Sequence, residues 1–450
     1  MTASATREQG VSARLAAFAA RRAPVPRRVR DEAIRSIMNG FATGLAGCRD
    51  AATTHARTVM GRFSSGADAS VIGHADRYDI LTAAFLNAIS INVFDFDDTH
   101  PGTILHPTAP VLPVLLALAE KMPVSGRDFL DAFAVGVEVE CRIANAVSPG
   151  HYRRGWHITA SCGVFGATAA AGRILGLDAD KMLHALGIAS AQASGLVETL
   201  GSMAKSVGVG NAARNGIVAA LLAQDGMRGP ELPLEGPRGF LRVTCDDPKF
   251  SCLTDGLGES WELLRNTYKP YPCGVVLNPV IEAALGLASA SGFDPSLVET
   301  GTVRGHALLA ERADRPIIRE GREAQVSAQH AIAVCLLHGK AGLPEFSDAA
   351  VADAANAAFR KKVQVVIDPE MPVGAAQVEL HMASGETLLS RIDKARGDSE
   401  RPLTNAEIEA KLRDLVAFGA PGVKPDPLIA AILSIDLTDD MSGLARLATP

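Results

Sequence analysis

Apolar residues recur at three- and four-residue spacing along most of the chain between Ser12 and Asp255. This period places them on one face of an α-helix. It predicts helices over Arg30–Leu45, Ile80–Ala88, Ala109–Lys121, Arg127–Val147, Ala160–Leu175, Asp178–Ala193 and Asn211–Asp225. Proline and glycine separate these segments, and Ser125 is a predicted N-cap for the helix that begins near Arg127. Runs of small residues such as Gly163–Gly172 predict a densely packed helical core.

The pattern changes near Asn266, where β-branched runs and alternating segments replace much of the helical period. Strands are predicted at Thr302–Leu309 and Val363–Ile367, and a hairpin at Gln377–Met382 and Glu386–Ile392 around Ala383-Ser384-Gly385. Helices are predicted at Ala328–His338, Asp348–Phe359, Ile408–Phe418 and Pro427–Ile435. The fold class is therefore mainly α, with a helical domain over residues 1–265 and 402–450 and a smaller α+β domain over residues 266–401.

Composition narrows the possible partners. The chain has 450 residues, 21% charged and 47% hydrophobic, with a net charge of -6 and no basic tail. Nothing here favours binding to nucleic acid or to an anionic membrane. Residues 1–10 carry Arg7 and Glu8 and lack a long apolar core, so a signal peptide is not predicted. Seven scattered cysteines without a CxxC pair favour reduced thiols in a cytoplasmic protein.

The densest group of reactive side chains is Asp95-Phe96-Asp97-Asp98-Thr99-His100, followed by His106-Pro107-Thr108. Charges beside apolar residues such as Val93 and Phe94 cost desolvation free energy unless they pair, bind a cation or bind substrate. The segment therefore either lines a polar pocket or caps a buried group. Three further polar groups in apolar surroundings, around His157, Lys205 and Lys269, favour the pocket.

Two other interpretations of this cluster fit the sequence less well. The acidic residues with His100 and His106 could bind a divalent metal ion, but their spacing matches neither zinc nor EF-hand patterns. The sequence Asp95-x-Asp97-x-Thr99 resembles the first motif of haloacid dehalogenase-type phosphatases, which follows a strand of a Rossmann-like sheet. The helical surroundings disfavour that class.

Three further polar groups lie in apolar surroundings. Lys205 lies in the Gly-rich stretch Gly201–Gly210, just before an apparent helix start at Asn211, where a helix N-terminus and an ammonium would bind a carboxylate. Lys269 lies in Tyr268–Gly274, at the predicted domain junction, where clefts form. His157 opens a helix, as His106 does. Each has a structural alternative. Lys205 could be a solvated loop lysine, the segment around Lys269 could be a rigid linker, and His157 and His106 could be structural histidines.

Taken in order, these motifs resemble the MmgE/PrpD family, which includes 2-methylcitrate dehydratases, cis-aconitate decarboxylases and iminodisuccinate epimerases. The resemblance is carried by the acidic cluster with His106-Pro107, Gly155-Trp156-His157-Ile158-Thr159, Gly201–Asn211 around Lys205, and Tyr268–Cys273. It implies a large helical domain built from both chain ends, a smaller inserted lid domain, and a homodimer. It also implies catalysis without metal or organic cofactor, with active-site residues Asp95, Thr99, His106, His157, Lys205 and Lys269.

Two positions depart from the family pattern. Asn278 stands where many relatives have histidine, and His330 stands where decarboxylase-type members have tyrosine. These departures bear on substrate and reaction rather than on fold.

The resemblance implies a cofactor-independent lyase acting on a di- or tricarboxylic acid. Dehydration of a 2-methylcitrate-like substrate is the first expectation. Decarboxylation of a cis-aconitate-like acid, epimerisation of an amino or imino dicarboxylate, and a non-catalytic binding paralogue are the alternatives. In the expected mechanism Lys205 and Lys269 bind carboxylates and His106 and His157 act as general acid and base. Asp95 orients His106, and Thr99 bonds substrate or holds the loop.

Overall fold

The computed structural model describes residues 10–450, so the N-terminal segment interpreted above lies, except for Gly10, outside the described residues. We label the helices in chain order. They are α1 (Val11–Ala20), α2 (Arg27–Gly47), α3 (Ala51–Met60), α4 (Ile80–Asn92), α5 (Thr108–Lys121), α6 (Gly126–Val147), α7 (Gly150–Arg153), α8 (Ile158–Ile174), α9 (Ala179–Ser190), α10 (Ala204–Gln224), α11 (Phe240–Thr244), α12 (Asn278–Ala288), α13 (Ala307–Ala313), α14 (Gly321–Ala324), α15 (Ala328–His338), α16 (Asp348–Ala352), α17 (Ala354–Arg360), α18 (Asn405–Gly419) and α19 (Pro425–Leu433). The mainly α fold class is confirmed.

The strands are short and few by comparison. They are β1 (Ala69–Ser70), β2 (Arg77–Tyr78), β3 (Val298–Gly305), β4 (Val363–Ile367), β5 (Ala376–Met382) and β6 (Thr387–Ile392). Among the described residues, no helix is long and apolar enough to cross a membrane.

The chain divides into two compact units. The first comprises the described residues up to Val93 together with Asp97–Asn266 and Asn405–Pro450. The second comprises Phe94–Phe96 and Thr267–Thr404.

In the first unit, α8 packs against α5, α6, α9 and α10. Small residues make this close packing possible. A Cβ atom added at Gly216 of α10 would lie 2.8 Å from backbone atoms of Ala167 and Thr168 in α8. The predicted dense helical core therefore rests on backbones that touch, with no room for a side chain between them.

Replacing Gly216 with alanine is expected to lower the free energy of unfolding by about 2 kcal/mol, because overpacking outweighs the better helix propensity of alanine. Gly443→Ala is the matched control, since a Cβ there would meet no atom within 4 Å. We expect the control to change stability by less than about 0.5 kcal/mol in urea unfolding. Equal stability of the two variants would contradict this packing argument.

The second unit is built on a four-stranded sheet with the order β4-β3-β5-β6. Strands β3 and β4 are parallel, while β5 pairs antiparallel with both β3 and β6. Gly385 has a positive φ of 85° in the turn between β5 and β6, which confirms the predicted hairpin. Helices α12 and α15 contribute Val280, Ile281 and Ile332 to its hydrophobic core.

Several element boundaries differ from the prediction. Strand β3 ends at Gly305, and Ala307–Leu309, predicted as strand, begin α13. The predicted helix Asp348–Phe359 is broken at Asp353, whose side chain accepts a hydrogen bond from Asn356 N–H and caps α17. By contrast, the Ser125 side chain accepts a hydrogen bond from Asp128 N–H as the predicted N-cap of α6.

The largest correction concerns Lys205. Helix α10 begins at Ala204 rather than at Asn211, so Lys205 lies inside its first turn and not in a loop before it. Two of the glycines that suggested a loop, Gly208 and Gly210, lie inside this helix and have a packing role. A Cβ at Gly210 would lie 2.8 Å from the Phe85 ring of α4.

Candidate active site

The acidic cluster and His106 lie in the connection between α4 and α5. Residues His100 and Leu105 face each other in an antiparallel bridge, with His100 N–H donating to Leu105 O at 2.8 Å. Two residues of this connection have left-handed backbone, Asp95 with φ 53° and Ile104 with φ 58°. Such conformations cost on the order of 1–3 kcal/mol each and are concentrated at functional sites.

The helix before the cluster bears on the phosphatase alternative. Residues Ile80–Asn92 form α4, so the sequence Asp95-x-Asp97-x-Thr99 follows a helix and not the buried strand that the haloacid dehalogenase motif requires. The phosphatase interpretation has no structural support here.

His106 is held by several neighbours from the same unit. Its Nδ1 lies 2.9 Å from the main-chain oxygen of Asp98, 3.3 Å from Asp97 Oδ1 and 3.4 Å from Thr99 Oγ1. Its main-chain N–H donates to Thr159 Oγ1 at 3.1 Å. The imidazole is 7% exposed, so it is shielded but not sealed from substrate.

Asp97 is a residue whose role the sequence did not single out. It is fully buried, and its second carboxylate oxygen accepts a hydrogen bond from Asn92 Nδ2 at 2.8 Å. The signal available in the sequence was Asn92, a polar residue between Ile91 and Val93, because a buried amide requires polar partners.

Asp98 of the cluster and Glu140 of α6 are two further buried acids. Asp98 accepts hydrogen bonds from Thr108 Oγ1 and Asn266 Nδ2. Burial raises the pKa of Asp98 to about 6, against the lowering effect of the Thr108 hydrogen bond. Glu140 of α6 is also fully buried, and within residues 10–450 neither of its carboxyl oxygens has a hydrogen-bond partner. Burial, with the nearby charge of Asp98, raises the pKa of Glu140 well above its ordinary value.

Glu140→Gln tests this assignment through the pH dependence of stability. The folded protein holds the Glu140 proton more tightly than the unfolded chain does, because the pKa of Glu140 is raised by folding. Its contribution to the free energy of unfolding is therefore fully present below the unfolded-state pKa and is lost as pH rises toward the folded-state pKa. The variant should therefore gain stability relative to wild type by roughly 1 kcal/mol per pH unit above pH 4.5. Urea unfolding at pH 5, 6.5 and 8 measures this gain. The exposed control Glu259→Gln should show no such trend, and a flat difference for Glu140→Gln would contradict a neutral Glu140.

His157 occupies the N-cap position of α8, as its sequence context predicted. Its main-chain N–H donates to Gly195 O at 3.0 Å, and Val197 N–H donates to Gly155 O at 2.8 Å. These bonds hold Gly195–Val197, in the segment that leads to α10, beside His157. Because Thr159 of α8 bonds the main chain of His106, the two histidines are attached to one framework within the first unit.

Lys205 is connected to the same framework through its neighbour. Ser206 Oγ donates to Asn92 Oδ1 at 3.2 Å, and Asn92 in turn bonds Asp97. Contacts of adjacent residues thus link the first turn of α10 to the group around His106. The side chain of Lys205 is partly exposed, which suits an ammonium that binds an incoming carboxylate.

The remaining two predicted residues meet in the second unit. Lys269 Nζ donates to the Asp95 main-chain oxygen at 2.6 Å and to Asp95 Oδ2 at 2.9 Å. Lys269 is 4% exposed, so its charge is buried but paired. The left-handed backbone of Asp95 allows its main-chain oxygen and its carboxylate to accept hydrogen bonds from the same ammonium.

Both positions that depart from the family pattern lie inside the second unit. Asn278 begins α12, and its Oδ1 lies 3.7 Å from Cys273 Sγ. His330 is fully buried, with Nε2 at 2.8 Å from Glu345 O and Nδ1 at 3.1 Å from Arg360 Nη1. Burial lowers the pKa of His330 to about 4, so this ring is neutral near pH 7.

Comparison with known proteins gives matches along most of the chain. A model of the MmgE/PrpD N-terminal domain matches residues 13–253, and a model of the MmgE/PrpD C-terminal domain matches residues 271–432. Cis-aconitate decarboxylase of Homo sapiens is 29% identical over 437 residues, which cover 93% of this chain and 90% of that protein. The Mus musculus protein of the same name is 27% identical over 447 residues, or 92% and 88%. A cis-aconitate decarboxylase of Aspergillus terreus is 28% identical over 479 residues, or 99% and 97%.

Proposed function

The chain belongs to the MmgE/PrpD family, and we propose that it is a lyase that decarboxylates a cis-aconitate-like tricarboxylic acid. The observation that carries the proposal is the full-length similarity to proteins named cis-aconitate decarboxylases. The set Asp95, Thr99, His106, His157, Lys205 and Lys269, present at the positions that the family resemblance assigns, supports it.

The sequence motifs alone ranked dehydration first, and the relatives move decarboxylation ahead of it. Loss of carbon dioxide breaks a carbon–carbon bond and leaves its electron pair on the remaining acid. That pair is delocalised toward a neighbouring carboxylate and is then taken by a proton. A positive charge near the developing anion and a well-placed proton donor are therefore what the chemistry needs.

The described residues can meet these needs. Lys205 at the first turn of α10 combines an ammonium with a helix N-terminus, and both attract a carboxylate. The His106 imidazole is held in position by its neighbours at Nδ1, and His157 is the second candidate for proton transfer. Lys269, which is buried and paired with Asp95, is the second cation of the proposed set. No metal or organic cofactor has a step in this proposal.

Dehydration of a hydroxy polycarboxylate is the second candidate, because His330 replaces the tyrosine of decarboxylase-type members. The structure places this histidine in the interior of the second unit as a neutral ring. A phenol that assists decarboxylation would therefore be missing at this position. Dehydration would use one histidine to remove an α-proton and the other to protonate the leaving hydroxyl.

A substrate panel separates these possibilities. Purified, chelator-treated protein is incubated with cis-aconitate, 2-methylcitrate and related di- and tricarboxylates, and products are followed by NMR together with released carbon dioxide. The proposal expects carbon dioxide and one product acid from cis-aconitate. An alkene formed without carbon dioxide would favour the dehydratase, and an exchanged α-proton without net conversion would favour an epimerase. Thermal stabilisation by an acid without turnover would favour a binding paralogue.

A homodimer and a cytoplasmic location are further parts of the proposal. Sedimentation equilibrium on the full chain should give twice the 47.0 kDa chain mass.

A further inference from the structure

The environment of His106 Nδ1 assigns its proton. Two atoms beside this nitrogen can only accept a hydrogen bond, the Asp98 main-chain oxygen at 2.9 Å and the Asp97 carboxylate at 3.3 Å. Another neighbour, Thr99 Oγ1 at 3.4 Å, is able to donate or accept. A bare Nδ1 would therefore point its lone pair at two oxygens, which is unfavourable in a buried site.

We propose that Asp97, anchored by Asn92, is a positioning residue that holds neutral His106 in the Nδ1–H tautomer. Nε2 is then the atom that exchanges a proton with substrate. The part about substrate rests on the proposed lyase function, whereas the tautomer follows from geometry alone. A carboxylate that fixes the tautomer and orientation of an imidazole is a recurrent arrangement in enzymes and at metal-bound histidines.

The anchoring of Asp97 explains why a carboxylate is placed here. Asp97 and Asn92 are both fully buried, and Ser206 is 2% exposed. Asn92 uses its amide N–H on Asp97 and its carbonyl oxygen on Ser206 Oγ, so each of its two polar ends has a fixed partner. These hydrogen bonds run from Asp97, whose other oxygen lies 3.3 Å from His106 Nδ1, to the residue after Lys205. They therefore tie the direction of the proton-transfer atom to the position of the proposed carboxylate-binding turn.

The Asp97→Asn variant has a definite expected effect. Asn92 Nδ2 would still donate to the one remaining oxygen of the new amide, which would turn the amide nitrogen toward His106 Nδ1. An N–H facing Nδ1 favours an accepting nitrogen, whereas the Asp98 main-chain oxygen still favours Nδ1–H. The variant should therefore populate both tautomers, and only part of the molecules would keep the lone pair on Nε2. We expect kcat to fall on the order of tenfold with little change in KM.

The first measurement is a ring-¹⁵N NMR spectrum of the full chain labelled at histidine, with the His106 signals identified by their loss in His106→Gln. Wild type should show a protonated Nδ1 and an unprotonated Nε2 at a pH where the ring is neutral, and Asp97→Asn should show a mixture of the two tautomers. Asn92→Ala should lower the population of the Nδ1–H form and reduce kcat by roughly tenfold.

Asp131→Asn is the matched control, because Asp131 is another buried aspartate, paired with Arg30 and Arg173. It should leave the His106 signals and kcat unchanged. An Nε2–H tautomer in wild type would overturn the inference, and this result does not depend on the folding of any variant. An unchanged tautomer in folded Asp97→Asn would also overturn it. Failure of the proposed function is a separate result, since the spectrum needs no substrate and turnover is scored on the acid panel.

Discussion

Replacing His106 with alanine is expected to lower kcat by about a hundredfold or more while KM changes little. A general acid or base acts on the transition state, so its loss reduces kcat rather than ground-state binding. The ring is held at Nδ1 by Asp97 and the Asp98 main chain, so its other nitrogen is fixed in direction. Steady-state kinetics on the acid identified by the panel gives both constants.

His55→Ala is the control for this experiment, because His55 lies exposed on α3 outside the proposed set. It should retain wild-type kinetics. Turnover by His106→Ala within a fewfold of wild type would remove His106 from the mechanism. A raised KM with unchanged kcat would instead make it a binding residue.

Replacing Lys205 with methionine is expected to lower kcat/KM by at least about a hundredfold, with effects on both kcat and KM. The ammonium would bind a carboxylate in the ground state and stabilise added negative charge in the transition state. Methionine retains most of the length and apolar stem, so the loss would report on the charge. Lys205→Arg should recover part of the activity because it restores the cation but not its compact shape.

Lys121→Met provides the matched comparison for Lys205. Lys121 is 54% exposed and pairs with Asp68 at 2.9 Å, away from the proposed set along the chain. We expect wild-type kinetics from it. An equal loss of activity in the two variants would mean that the effect at Lys205 is not specific to substrate binding.

The positions of most long helices were predicted because buried helix faces leave a regular spacing of apolar residues in the sequence. One helix boundary was predicted wrongly because glycine can indicate either a loop or a close contact between helices. The glycines of Gly201–Gly210 favoured a loop, yet Gly208 and Gly210 serve close packing of α10, and the helix begins seven residues earlier than predicted. The break at Asp353 was missed for a different reason, since its capping side chain competes with a continuous helical pattern. The domain boundaries at residues 265/266 and 401/402 stay a prediction.

The candidate site was predicted as a list of residues rather than as an arrangement. The sequence analysis placed Asp95 as the partner of His106, whereas the structure brings Asp97 Oδ1 to 3.3 Å from His106 Nδ1 and pairs Asp95 with Lys269. A sequence pattern does not tell which of several neighbouring acids in one loop contacts a given histidine or lysine. That choice depends on side-chain direction, which for Asp95 is set by its left-handed backbone. The role of Asn92 was likewise invisible until its two hydrogen bonds were known.

The most direct test of the account is turnover of cis-aconitate by the chelator-treated wild-type protein in D₂O, followed by NMR. Decarboxylation replaces one carboxylate by a solvent-derived hydrogen delivered through an exchangeable imidazole. The account predicts one deuterium in the product acid for each carbon dioxide released, and a rate about a hundredfold lower in His106→Ala. Product that contains no deuterium, or release of carbon dioxide that is unaffected by loss of His106, would contradict it.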